Sequence, residues 1–321
     1  MNKKIRLFLK LLVTLGFLLL LVHFINCRAA LDFIVKADRR WVFFALLTAF
    51  VPFMIATFRW KILLKAQGYV FSYKELLLVV VSGQFFNLFL PNLIAADIYR
   101  GVVLSQQKTE KEKIVSSIIV DRVTGFIGLG IVTVISYMIG GRIAALSNVI
   151  YPMAFFWVVT VGLLVAMFND RFVRVYSNSK KNDWRWIRWL QDIHRNVHMF
   201  KNRPKALFDS IAVSVFMQGL APVWCMMLFK AVGVDISFIP VFIIVPIVLT
   251  IGSLPFAFSG LGARDAAMVY FFYQLGIAKE QVLAVSFLLA FLYVIIEVIG
   301  GLLYVAFYHR RLQSYKNASG V

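Results

Sequence analysis

The stretches GQFFNLFLPNLIAADIYR (Gly83–Arg100) and GSLPFAFSGLGARD (Gly252–Asp265) place a proline, a helix break and ionisable groups inside otherwise apolar sequence. A continuous membrane-spanning helix has no use for Pro91 or Pro255 followed by Asp97, Arg100, Arg264 and Asp265. Irregular backbone and charge at membrane depth are tolerated only where protein or a watery cavity surrounds them. The two stretches lie in opposite halves of the chain and read as a pair of broken helices that build one polar site.

Composition around them is that of a membrane protein. Of the 321 residues 61% are hydrophobic and only 15% charged, and the mean hydropathy is +0.82. Apolar runs of the length needed to cross a ~30 Å hydrocarbon core occupy 7–26, 41–63, 114–139, 150–168, 206–229 and 281–308, with the broken stretches at 76–106 and 239–277 as a further pair. The expectation is a single integral membrane domain over 1–321, with a first half to residue 140 and a second over 150–310. A basic loop at 170–205 joins the halves, and no interval is long enough for a soluble domain. Lys3, Lys4 and Arg6 before Leu7–Leu21, with Ala29-Ala30 behind, imitate a secretory signal. The long apolar run, then Arg28 and a further span, favour an uncleaved signal anchor. Cys27 and Cys225 are too few for a disulfide framework and read as packing residues.

Basic loops stay on the cytoplasmic side. Arg171–Lys205 carries ten Lys and Arg against Asp183 and Asp192, and both termini are basic as well. If each broken stretch crossed the membrane once, Lys108, Lys111 and Lys113 would fall outside and the ten-charge loop would follow an odd number of crossings. If the first stretch instead enters from the cytoplasm and turns back over Pro91–Ala96, and the second enters and returns from outside, the basic loops fall inside. The exception is Arg28–Arg40, read as an outside loop with four basic residues and two aspartates. The fold expected is therefore an all-α polytopic membrane protein: about six full transmembrane helices plus two oppositely oriented re-entrant broken-helix hairpins, an inverted repeat of the kind transporters use to build a midplane site. The membrane would be the cytoplasmic (inner) membrane of a prokaryote, with both termini cytoplasmic. Trp184–Phe200 sets Trp186, Trp189, Leu190, Ile193, Val197 and Phe200 at helical spacing opposite Arg185, Arg188, Asp192 and Arg195, an interfacial amphipathic helix. A net charge of +19 that borders spans and is interleaved with tryptophan suits anionic lipid headgroups, not nucleic acid.

Several residues bear chemistry. Ser259, Gly260 and Gly262 precede a half-helix, where backbone amides can converge on a phosphate or simply form a tight turn. Arg264 can fork onto phosphate oxygens or pair with Asp265. Asn87, Pro91, Asn92 and Asp97 flank the first break; Asp97 could be an ordinary helix cap, and Arg100, one turn on, could snorkel. Asp121 and Arg122 form a candidate intramembrane ion pair or a structural tie to a hairpin. Glu297, midway along the last span, must be protonated, paired across helices or facing water and is a candidate proton carrier. Gln84 and Asn87 suit neutral interhelical hydrogen bonds, and Gly125, Gly128 and Gly130 a close-packing surface. Nothing indicates a metal site or cofactor: there is no Asp-x-Asp, no ligand cluster and no Cys or Ser near a His and an acid.

The order Asn87-x-x-x-Pro91, Asp97-x-x-Arg100, Asp121-Arg122-x-x-Gly125, Pro255, Gly260-x-Gly262-x-Arg264-Asp265 resembles the flippase-like transmembrane domain of lysylphosphatidylglycerol synthases and their stand-alone relatives, over nearly the whole chain. It departs from that pattern at Ala95-Ala96, where the family commonly has glycines, and at Asp265, where glutamate is common. The resemblance implies translocation of a lipid or lipid-linked polar headgroup without enzymatic activity, since the aminoacyl-transferase domain of the bifunctional relatives is absent. On that basis Arg100, Arg122 and Arg264 would engage a phosphate, while Asp97, Asp121 and Asp265 fix the arginines or face a cationic headgroup. Two alternatives remain: a membrane-embedded transferase acting on a lipid or polyprenyl carrier, and an accessory subunit of an envelope lipid-modifying enzyme. Expected partners are a phospholipid or lipid-linked substrate, anionic membrane lipids, and a second copy or an envelope enzyme.

Overall fold

The computed structural model describes residues 27–88, 94–106, 110–140, 149–169, 185–253 and 262–307, and all regular structure within them is helical. The expected span 7–26 lies outside these residues, as do Pro91, Asn92, Pro255, Ser259 and Gly260. The chain is an all-α polytopic membrane protein. Five helical spans among the described residues are long and apolar enough to cross a bilayer: Arg39–Ala66, Lys111–Gly140, Ile150–Phe168, Pro204–Ala231 and Lys279–Phe307.

The first described helix corrects an expectation. Arg28–Arg40, read from its charges as a loop, is largely helix α1 (Cys27–Val35). Its apolar positions have a partner that the charges hid: Ala30 is fully buried, Phe33 and Ile34 pack into the largest core cluster, and the helix lies on the last span. Asp38 then starts α2 (Arg39–Thr48) by accepting the Arg40 amide at 2.8 Å. Between α2 and α3 (Val51–Ala66) the helix is interrupted where Pro52, at the start of α3, cannot donate a backbone hydrogen bond.

The two broken stretches form helix pairs too short to span. In the first, α4 (Tyr73–Gln84) leads through a 3₁₀ turn at Phe85–Leu88 toward α5 (Ile94–Ser105). At 1.5 Å per residue each 12-residue helix reaches about 18 Å, well short of the ~30 Å core. The last span before the second half is α6 (Lys111–Gly140), which α7 (Ile150–Phe168) follows. Helix α8 (Arg185–His198), a 3₁₀ turn at Met199–Asn202 and the span α9 (Pro204–Ala231) come next. The second pair is α10 (Phe238–Ser253) and α11 (Ala263–Tyr273), about 24 and 16 Å long, and α12 (Lys279–Phe307) closes the chain. In both pairs a glycine near the end of the first helix lets the returning helix approach. A Cβ on Gly83 would stand 3.2 Å from the Ala96 carbonyl oxygen and the Tyr99 ring, and one on Gly252 would stand 3.1 Å from the Cβ of Arg264.

The packing repeats between halves with partners exchanged. Helix α4 rests on α3 as α10 rests on α9; α5 rests on α6 as α11 rests on α12. Each long span then crosses to the other half's broken pair, α6 to α10 and α12 to α4, while α3 and α9 pack on each other. The α12–α4 crossing is close because Gly300 faces the backbone of Val81 and Gly301 the ring of Phe85. The α6–α10 crossing is fixed by hydroxyls, with the Thr133 and Thr250 Oγ1 atoms 2.8 Å apart and Ser136 Oγ donating to the Phe242 carbonyl at 3.1 Å. This exchange locks both hairpins between spans of opposite halves.

Candidate functional site

Five ionic side chains from three helices form one alternating line beside the first hairpin. Arg59 on α3 donates from Nε to Asp121 on α6 at 2.7 Å, and the other Asp121 oxygen accepts from Arg100 on α5 at 3.1 Å. Arg100 also donates to Asp97 at 3.0 Å, and the second Asp97 oxygen accepts from Arg122 Nε at 2.5 Å. The Arg59 and Asp121 end is buried, whereas the Arg122 side chain is 35% exposed. The line therefore runs from a buried end to a partly exposed one.

Local sequence explains each placement. Adjacent residues on a helix point about 100° apart, so Asp121 faces α3 and Arg122 turns toward Asp97. One turn beyond Asp121, Gly125 makes room for the Arg59 guanidinium, since a Cβ there would lie 3.0 Å from one of its terminal nitrogens. Another terminal contact ties α3 to α9, as Arg59 donates to Ser214 Oγ at 2.9 Å. Arg100 does not snorkel: it is buried with its guanidinium 3.9 Å from the Trp60 ring centre, in cation–π geometry. Trp60 is itself held by its indole N–H donating to Ser117 at 3.0 Å. Asp97 is not the cap of α5; Asn87 reaches across the break and accepts the Ala96 amide at 3.2 Å, while Gln84 accepts from Asn87 at 3.0 Å.

The arithmetic of this line is uneven, with three guanidiniums for two carboxylates. The buried Nε of Arg100 has no acceptor among the described residues. Buried donors and charges are costly unless matched, and among the described residues the line holds one more guanidinium than carboxylates and one unmet buried donor.

The second hairpin holds a smaller group. Arg264 donates to one Asp265 oxygen from Nε at 3.0 Å and from a terminal nitrogen at 2.7 Å, and Ser286 of α12 donates to the same oxygen. The other oxygen accepts the Gly262 amide at 3.1 Å, so Asp265 closes the start of its own helix. Gly262 has φ +85°, a conformation that L side chains rarely adopt. Of the two roles open to Arg264 from the sequence, pairing with Asp265 is the one seen in this state.

Glu297 lies half-buried on α12, one turn before the glycines that meet α4, with no ion pair among the described residues. The structure thus brings Asn87, Asp97, Arg100, Asp121 and Arg122 into one cluster, sets Gly262, Arg264 and Asp265 in another, and places Glu297 on the span that touches both hairpins.

A family model for the lysylphosphatidylglycerol synthase transmembrane region matches residues 7–301. The chain belongs to this family. Among its relatives a UPF0104 membrane protein of Methanocaldococcus jannaschii is 23% identical over 298 residues, 87% of this chain and 88% of the relative. A second UPF0104 membrane protein, from Methanothermobacter thermautotrophicus, is 24% identical over 273 residues, 78% of this chain and 80% of its own. The similarity therefore runs through both hairpins of this member of the lysylphosphatidylglycerol synthase transmembrane family.

Sequence reasoning missed Arg59, Trp60 and Ser214. Arg59 sits in a run, FRWKILLKA, that reads as the charged end of a span. Its depth was the available signal, because seven residues before the end of α3 place it about 10 Å inside, too deep for an unpaired arginine.

Proposed function

We propose that this protein moves a lipid with a phosphate-bearing headgroup between the leaflets of a prokaryotic cytoplasmic membrane. The observation that carries the reading is the line Arg59–Asp121–Arg100–Asp97–Arg122, with its excess positive charge and the unmet Arg100 donor, set between long spans and a hairpin too short to cross. Membership in a family named for a lipid-modifying enzyme's membrane region supports the lipid character of the cargo. The headgroup phosphate enters at Arg122, the most exposed guanidinium of the line, and offsets the excess positive charge while Asp97 stays paired to Arg100. Asp121 remains paired to Arg59 and keeps the buried end fixed.

In this reading the two hairpins enter the membrane from opposite sides, so the cluster is within reach of one leaflet and Arg264 with Asp265 of the other. Glu297 is the group through which a proton gradient drives the movement. Both termini are cytoplasmic.

Lipids retained through purification in mild detergent, identified by mass spectrometry, test the binding step. The expected result is a phospholipid or polyprenyl phosphate bound to the parent protein and depleted from Arg122→Gln. Equal amounts of the same lipid on both proteins would show that Arg122 does not hold the cargo.

A further inference from the structure

The amphipathic helix α8 spends only half of its apolar stripe on the protein. Ile193, Val197 and, in the following turn, Phe200 are buried against Leu63 of α3, Val120 and Val123 of α6 and Met167 of α7. Trp189 and Leu190 continue the same stripe one turn earlier, at 43% and 48% exposure. Helical periodicity of ~3.6 residues per turn puts all of these on one face, so the docked half and the bare half look toward the same plane. On the opposite arc Arg188 and Arg195 are exposed, the latter 3.8 Å from Asp192, and Lys201, Arg203 and Lys205 extend the basic surface into the start of α9.

We propose that the bare Trp189–Leu190 end of α8 is seated in the headgroup region of an anionic leaflet, with Arg188 and Arg195 binding the lipid phosphates above it. The occupant is fixed by two features together. A tryptophan and a leucine beside arginines fit the boundary between acyl chains and headgroups, where an indole ring is apolar on its face and polar at its N–H. The surrounding charge, six Lys and Arg over 185–205 against Asp192, matches an anionic surface and opposes a basic partner.

The same contact reaches the ionic line. Gln67, just past the end of α3, donates to Ser116 of α6 and to the Asn196 carbonyl of α8, both at 3.1 Å. His194 lies 2.9 Å from the Ala166 carbonyl of α7. On α6, Val120 and Val123, which α8 covers, flank Asp121 and Arg122. Helix α8 is thus a strap across α3, α6 and α7 at the level of the ion pairs, and the leaflet holds its free end. The inference rests on membrane insertion alone, whatever the cargo is.

Quenching by brominated lipids tests it on the full chain. The protein and its Trp189→Phe variant are reconstituted into phosphatidylcholine vesicles with or without one-third phosphatidylglycerol, the bromines being carried near the headgroup end of the phosphatidylglycerol chains in one series and of the phosphatidylcholine chains in another. The difference between the two proteins isolates the emission of Trp189. The expected result is Trp189 emission quenched several-fold more by brominated phosphatidylglycerol than by an equal amount of brominated phosphatidylcholine. Each basic residue near an anionic surface is worth about fivefold in partitioning, so Arg188→Gln with Arg195→Gln should remove that preference. Three outcomes overturn the proposal: a Trp189 that responds only to aqueous iodide, one screened from both quenchers by a second copy or another protein, and one quenched equally by the two lipids.

Discussion

Asp121 accepts from two arginines on different helices, and its removal exposes how much they depend on it. Asp121→Asn leaves Arg59 and Arg100 buried beside a neutral amide, and the loss expected from breaking a buried pair is about 3–5 kcal/mol, measured as a drop in the midpoint of thermal unfolding in detergent. Arg122→Gln, at the open end of the line, should cost no more than about 1 kcal/mol while removing function. If both substitutions cost the same, the buried-to-open gradient along the line is not real. Glu297→Gln addresses the remaining carboxylate: with no ion pair to break among the described residues, the variant should unfold near the parent temperature yet lose any response of transport to an imposed pH gradient. A variant equally pH-responsive would remove Glu297 from proton coupling. Much of this cluster was legible because Asp97, Arg100, Asp121 and Arg122 interrupt apolar sequence, where charge carries a cost that demands an explanation. Arg59 was not, because its neighbours Lys61 and Lys65 make an ordinary helix end of it. Only the spatial arrangement shows that its carboxylate comes from a helix 62 residues away.

At the scale of elements, the interrupted helices depend on close crossings that single methyl groups can disturb. Gly300 lies so near the Val81 backbone that a Cβ there has no place to go, and Gly300→Ala should separate α12 from α4 and lower the unfolding temperature by several degrees. Gly219, in the middle of α9, has nothing within 4 Å of the same atom; Gly219→Ala should change stability by no more than about 1 kcal/mol, in the direction of helix propensity. Equal effects at the two sites would mean that the α12–α4 crossing is looser than described. The interruption of each stretch was readable from proline and charge, and helix α8 from its spacing. The partner exchange between halves was not, since no periodicity in α6 or α12 says which hairpin each will cross. The helical character of Arg28–Val35 was also hidden, because Arg28, Lys36, Arg39 and Arg40 together spoke for a loop while its burial depends on contact with α12, the most distant span in sequence.

Over the whole molecule, the two halves repeat one packing pattern with partners exchanged, and the proposed topology sets them in opposite directions. With both hairpins re-entrant, a cysteine introduced at Lys111 should react with a membrane-impermeant maleimide only from the cytoplasmic side, and one at Asp235 only from outside. Labelling of position 111 from outside would turn the first hairpin into a full crossing and remove the inverted repeat. The central claim is transport, and the most direct measurement is transbilayer movement of a fluorescent anionic phospholipid in vesicles containing the purified protein under an imposed pH gradient, followed by reduction of the outward-facing probe with dithionite. The parent protein should move the lipid faster than protein-free vesicles do, and Arg122→Gln should slow it about tenfold or more, as loss of a charge-assisted contact of ~1.5–3 kcal/mol requires. Movement no faster than in protein-free vesicles, or an Arg122→Gln protein as active as the parent, would contradict lipid translocation through this site.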